Sequence, residues 1–259
     1  MTRLRTFALG AVIFTALASA GAASAGLPWK GYLGIAGPDT TAMLPPAPAP
    51  GSPVAETDRA IFLSTRALEG GPRWSLAVND LSEVRIVSDL SCAVGVQLRA
   101  RDLPAVRRLF FRMAPDVSRA VSRPKTTYNR PRPYLVDEGP ICAKRTASLA
   151  RSPDYPSGHA TWGWSVGLVM AELVPDRASA ILARTRAFGE SRAVCGVHNA
   201  SSVAAGRTNA EVLVAVLHSS PAFRTDLEAA RAELADAVRT GQPATGCEAE
   251  ATAMATPPW

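Results

Sequence analysis

Histidine is scarce in this chain, at 3 of 259 residues, and cysteine at 4. No two of Cys92, Cys142, Cys195 and Cys247 lie within a few residues of each other, so the paired spacing of a zinc site is missing. Cys195 has no arginine at the place a Cys-x(5)-Arg phosphatase loop requires, and is read as structural rather than nucleophilic. Aromatic residues make up 6% and do not interleave with basic ones into a stripe, which leaves no sequence argument for nucleic acid as a partner. Convincing period-two alternation is absent, and with it the signature of half-buried strands. Beyond the N-terminus no stretch offers the roughly 18 uninterrupted apolar residues that cross a bilayer. The richest, Trp162 to Val174, is broken by Glu172 and reads as a buried helix. There is no internal repeat.

What is present begins with an export signal. Met1-Thr2-Arg3-Leu4-Arg5 is basic, Phe7 to Ala18 is apolar, and small residues end at Ala23-Ser24-Ala25, which reads as a signal peptide over residues 1–25 cut after Ala25. The apolar run is short for a retained anchor, so the expectation is a periplasmic or secreted protein with no membrane contact after cleavage. Cleavage removes Arg3 and Arg5 and no acid, taking the formal charge from +6 to +4 on 234 residues. That length suits one domain with a substantial core. The mild positive balance is compatible with anionic substrates and equally with a merely basic soluble protein. In an oxidising compartment four cysteines make two disulfides plausible, and three pairings are open. A bridge at Cys195 would stiffen the segment between Arg192 and His198.

The spacing of apolar residues is helical. Residues 26–53, with Pro45, Pro46, Pro48, Pro50 and Pro53, predict an extended lead-in. From Val54 helical spacing sets in, and Val106, Leu109, Phe110, Met113, Val117, Ala120 and Val121 form one apolar face, with Pro115 off that stripe and expected to kink or split the helix. Further helices are predicted from about Gly158 to Leu173, from an N-cap at Asp176 through Ile181, Leu182 and Phe188, from about Val203 to His218, and from Pro221 after Ser220 to Gly241. Residues 242–259 read as a polar tail, with Cys247 the candidate tie to the rest of the chain. The expected fold class is all-α: a single-domain helical bundle over residues 54–241.

Three short stretches carry the chemistry. They are Lys125, six residues, then Arg132-Pro133; Pro156-Ser157-Gly158-His159; and Ser191-Arg192, five residues, then His198. Fixed cations and imidazoles are what a phosphate pocket without a metal requires. Taken singly, an Arg-Pro-Arg-Pro run is usually a solvated loop and a lone histidine usually structural; jointly, in this order and with these gaps, they are not. The set resembles the three-part signature of the phosphatidic-acid-phosphatase type 2 and vanadium haloperoxidase superfamily. Leu44-Pro45-Pro46, Gly163-Trp164, Ala171-Glu172, Leu217-His218 and Pro221-Ala222-Phe223 extend the resemblance to the bacterial class A non-specific acid phosphatases over about residues 44–240.

The resemblance implies an acid phosphatase with broad phosphomonoester substrates and inorganic phosphate as its small partners, no cofactor and no metal. Oligomers are frequent among such proteins, which makes a homo-oligomer an expectation. It assigns His198 as the nucleophile that forms a phosphohistidine and His159 as the acid that protonates the leaving alcohol. Lys125, Arg132 and Arg192 would hold the phosphate, with Ser157 and Gly158 opening a helix whose N–H groups face the anion. His218 is expected to be structural.

One departure stands out. The family pattern places Asp four residues after the nucleophile, and this chain has Ser202 there, with Asn199, Ala200 and Ala204 also departing. Ser can accept a hydrogen bond but carries no charge. The expectation is therefore an enzyme weakened by roughly 10 to 10⁴, by analogy with the loss when a triad Asp is neutralised. Glu190 is a candidate replacement acid. A degenerate relative that binds phosphate without turnover is the alternative, and a vanadium-dependent haloperoxidase a further one.

Overall fold

The computed structural model describes residues 30–34 and 37–259. The expected signal peptide, residues 1–25, lies outside the described residues. The helices are α1 Pro53–Thr65, α2 Pro72–Asn79, α3 Ile86–Asp89, α4 Ser91–Val94, α5 Pro104–Tyr128, α6 Ala147–Arg151, α7 Gly158–Leu173, α8 Ala178–Val194, α9 Ala200–Leu217, α10 Pro221–Thr240 and α11 Cys247–Ala255. Among the described residues there is no strand, only an isolated bridge between Val96 and Pro243, and no helix is long and apolar enough to cross a membrane. The fold is all-α, as the periodicity predicts.

Local chemistry sets where the helices start. Ser52, Ser157 and Ser220 each accept a hydrogen bond from the backbone N–H three residues on, and Pro53 and Pro221 occupy the first helical position, where a missing N–H costs nothing. Helix α7 is the centre of the bundle: it packs on α8, α9, α5 and α10 and is apolar nearly all round, as a helix covered on every side must be. Val166, Val169 and Met170 on α7 and Val106, Leu109 and Met113 on α5 are fully buried, each side chain contributing about 1.5–3 kcal/mol.

Close approach of α8 and α9 to α7 depends on small residues. A Cβ on Gly163 would lie 2.4 Å from the Phe188 ring, and one on Gly206 would lie 2.6 Å from the Ser157 carbonyl oxygen. The C-terminal end of α8, the N-terminal end of α9 and the N-terminus of α7 consequently meet at one end of the bundle. These ends carry the second and third sequence stretches.

Three details differ from expectation. Helix α5 continues through both Pro115 and Pro124, and Pro115 is buried rather than lying off the stripe. Burial of the apolar face on either side holds the two halves in one helix and outweighs the lost hydrogen bond. Asp176 is not an N-cap: Pro175–Arg177 forms a 3-10 turn, and α8 starts after Arg177 without a side-chain cap. Residues 242–259 hold the helix α11, tied down by Cys92–Cys247 and by Arg184, whose Nε donates to Glu250 Oε2 at 2.7 Å.

The second disulfide, Cys142–Cys195, closes a 53-residue loop directly ahead of His198, and the Cys142 N–H donates to the Cys195 carbonyl at 3.1 Å. Replacing both cysteines by serine is expected to remove ~4 kcal/mol. For a chain of this size that corresponds to a Tm lower by roughly 8–16 °C. Thermal unfolding of the variant against the parent checks this, and an unchanged Tm contradicts it.

Candidate active site

A cavity of about 310 Å³ opens at the meeting point of the helix ends, and Lys125, Arg132, Gly158, His159, Arg192 and His198 all line it. Of the residues singled out in the sequence only Ser157 does not. Its hydroxyl accepts from Ala160 N at 3.2 Å and so caps α7, while the first-turn N–H groups of α7 lack intrahelical acceptors by position. The rest of the lining is largely apolar, with Leu81, Val84, Val117, Val121 and Trp162, plus one carboxylate, Glu83.

His198 is buried, and each of its ring nitrogens has a separate partner. Nδ1 lies 2.8 Å from Asp154 Oδ1, which fixes it as the protonated nitrogen. Nε2 accepts from Arg132 Nη1 at 3.1 Å. Burial drives the pKa of His198 well below its usual value, and the charges of Arg132, Lys125 and Arg192 push in the same direction. Both contacts suit a neutral ring with its lone pair on Nε2.

Asp154 is the residue the sequence reading missed. Besides His198 it accepts from Asn199 Nδ2 at 2.8 Å, Asn199 N at 3.1 Å and Ser202 Oγ at 2.5 Å. Ser202, at the position where the family pattern has Asp, therefore touches the carboxylate that does the orienting. Glu190 does not reach His198; it pairs with Arg186 at 3.3 Å and Arg207 at 3.9 Å. The signal available in the sequence was an acid directly ahead of Tyr155-Pro156-Ser157-Gly158-His159, with nothing local to say where it pointed.

The cations are held in unequal ways. Arg132 donates through Nε to Ser152 O and through Nη1 to Val197 O, both at 2.7 Å, and through Nη2 to Ser152 Oγ at 3.2 Å. Lys125 Nζ donates to Pro153 O, and burial, reinforced by Arg132 and Arg192, lowers its pKa to about 7. Arg192 is buried with no hydrogen-bond partner for Nε among the described residues, and burial lowers its pKa to about 10. It is the cation most in need of an anion.

His159 stacks face to face on Phe188, with ring centroids 4.1 Å apart and planes 9° from parallel. Its Nδ1 lies 3.1 Å from Glu83 Oε1, and its buried Nε2 has no partner among the described residues. Burial and the charge of Arg192 lower its pKa, with Glu83 opposing them. Glu83 was not foreseen, because it is 76 residues away in the chain. His218 does not line the cavity and lies 3.2 Å from Glu172 and edge-on to Phe223.

The profile of the PAP2 superfamily matches residues 111–226. The chain is 42% identical over 199 residues to a protein of Zymomonas mobilis named acid phosphatase, covering 76% of this chain and 75% of that one. It is 34% identical over 201 residues to a non-specific acid phosphatase of Providencia stuartii, covering 76% and 81% respectively. With the non-specific acid phosphatase of Salmonella typhimurium the identity is 32% over 197 residues, covering 74% and 79%.

Proposed function

The chain belongs to the PAP2 superfamily and, within it, to the non-specific acid phosphatases, and from that premise we propose that it hydrolyses phosphate monoesters through a phosphohistidine on His198, without a metal. The observation that carries this reading is one cationic cavity lined by two histidines, each with Nδ1 on a carboxylate, the Nε2 of His198 meeting Arg132 and that of His159 unpartnered among the described residues. In the first step Arg132 turns its N–H from His198 Nε2 to a phosphoryl oxygen, and the freed lone pair attacks phosphorus. The P–O bond breaks and the leaving oxygen takes the proton of His159 Nε2. In the second, His159, now neutral, removes a proton from water, which attacks the phosphohistidine and releases inorganic phosphate. Lys125, Arg132, Arg192 and the α7 N-terminus hold the equatorial oxygens throughout.

An acid optimum follows from the two imidazoles. The mechanism needs His198 neutral and His159 protonated, and both pKa values are depressed, that of His198 the further. The window between them lies below 6.5, the ordinary histidine value. Lys125, lowered to about 7, also carries its charge only on that side. The expected kcat/KM profile is a bell with its maximum below pH 6.5, read with a chromogenic phosphomonoester between pH 4 and 8. A maximum above pH 7.5 contradicts the assignment.

The phosphoenzyme itself is tested by rapid quench with a radiolabelled phosphomonoester into alkaline denaturant, since a phosphorus–nitrogen bond is acid-labile. Label on the peptide containing His198 is expected. Steady turnover with no protein-bound label rules out covalent catalysis. Export is part of the same reading, supported by the basic-apolar-small N-terminal sequence and by two disulfides that call for an oxidising compartment.

A further inference from the structure

We propose that the tripeptide Ser152-Pro153-Asp154 is the positioning element of this site, and that Asp154 supplies from the α7 side the carboxylate whose usual position, on α9, is occupied by Ser202. The inference rests on His198 being the nucleophile. Three consecutive residues each hold a different member of the site: Ser152 accepts from Arg132 through its carbonyl and its hydroxyl, the Pro153 carbonyl accepts from Lys125, and the Asp154 side chain accepts from His198. The tripeptide is itself fixed, because Asp154 N donates to Arg130 O at 2.8 Å. Arg130 in turn lies 3.5 Å from Asp154 Oδ2 and donates to Asp58 Oδ2 at 2.9 Å.

Asp154 is fully buried, and its four accepted hydrogen bonds come from His198, Asn199 twice and Ser202. Ser202 and Asn199, departures from the family pattern when read alone, are here donors to the relocated acid. An acid at 202 in this setting would bring a second carboxylate to an oxygen that now receives a hydroxyl at 2.5 Å, and two carboxylates that close cannot both ionise. Asp154 and Ser202 are thus a coupled pair: one acid and one hydroxyl are required, in either order.

The test is the sign of an epistatic effect. Asp154→Asn keeps the size of the side chain but turns an N–H toward donors; kcat is expected to fall roughly 10²–10⁴-fold with KM little changed. Its kcat/KM profile is expected to extend further into acid, because His198 loses the one anion among the groups facing it, Lys125, Arg132, Arg192, His159 and Asp154. Ser202→Asp alone is expected to lower kcat about tenfold or more, yet the same substitution in an Asp154→Ser background is expected to raise kcat above that of Asp154→Ser. Asp154→Asn with unchanged kcat and pH profile, or a gain from Ser202→Asp in the parent, overturns the proposal. Quench labelling of the parent separates the two readings: no label on parent His198 refutes the nucleophile, whereas labelled parent with indifferent Asp154 variants refutes the positioning element alone. Far-UV circular dichroism and inhibition by inorganic phosphate, measured on each variant, identify a fall in kcat that is only loss of fold, and such a fall with no shift of the pH profile in any folded variant also counts against the proposal.

Discussion

His198→Gln is expected to leave no protein-bound phosphate and to lower turnover by on the order of 10⁵–10⁶, the scale of losing a nucleophile outright. The side chain is buried, so the fold must tolerate the change for the result to be read, and glutamine preserves a polar group that can still donate to Asp154 Oδ1. Phosphate binding should survive. In the parent, Arg132 Nη1 donates to His198 Nε2 and must leave it when phosphate arrives; without the imidazole that N–H is free for an oxyanion from the start. The expected pair of results is therefore vanished kcat with inorganic phosphate still protecting the protein against thermal unfolding. Phosphate that no longer binds would place His198 in the cradle's structure rather than its chemistry, and turnover reduced less than about 10²-fold would require another nucleophile.

The residues proposed to carry this chemistry were legible because they sit in short motifs whose spacing survives without any knowledge of the fold. Six of the seven singled out line the same cavity although they span residues 125–198. What the sequence did not reveal is which partners hold them. Asp154 meets His198 across 44 residues and Glu83 meets His159 across 76, and such pairings depend on how α7, α8 and α9 pack. The family pattern, with its acid four residues after the nucleophile, led to Ser202, and a pattern of that kind says nothing of an acid brought in from another part of the chain. The acid actually used comes from a loop that no helical periodicity reaches.

The same division applies to the scaffold. Helix starts at Ser157 and Ser220 were readable, since capping is decided within three or four residues, whereas the cap at Ser52 was hidden in the proline-rich lead-in. Pro115 misled, because its local cost is real but is outweighed by burial of residues on both sides of it, a tertiary effect. Helix α11 was hidden for a similar reason: its one buried side chain is Ala253, and it is held by the Cys92–Cys247 bridge and by Glu250 against Arg184, neither of which leaves an amphipathic pattern in residues 242–259.

His159→Ala separates the acid from the nucleophile by the substrate used to measure it. With an alkyl phosphate, whose alkoxide is a poor leaving group, loss of the proton donor is expected to lower kcat roughly 10²–10⁴-fold. With a nitrophenyl phosphate, whose phenolate departs without a proton, the first step should be nearly unaffected. The fall then observed should come from the second step, in which the same imidazole activates water, and labelled His198 should accumulate. The geometry favours this division: His159 Nε2 has no partner among the described residues while Nδ1 is held by Glu83 and the ring is clamped flat on Phe188, so the nitrogen available to the substrate is fixed in direction. Deleting the ring also removes one of the groups that depress the pKa of His198, so the acid limb of the variant should move to higher pH. Equal losses on alkyl and nitrophenyl phosphates, with no accumulation of phosphoenzyme, would mean that His159 shapes the cavity and transfers no proton.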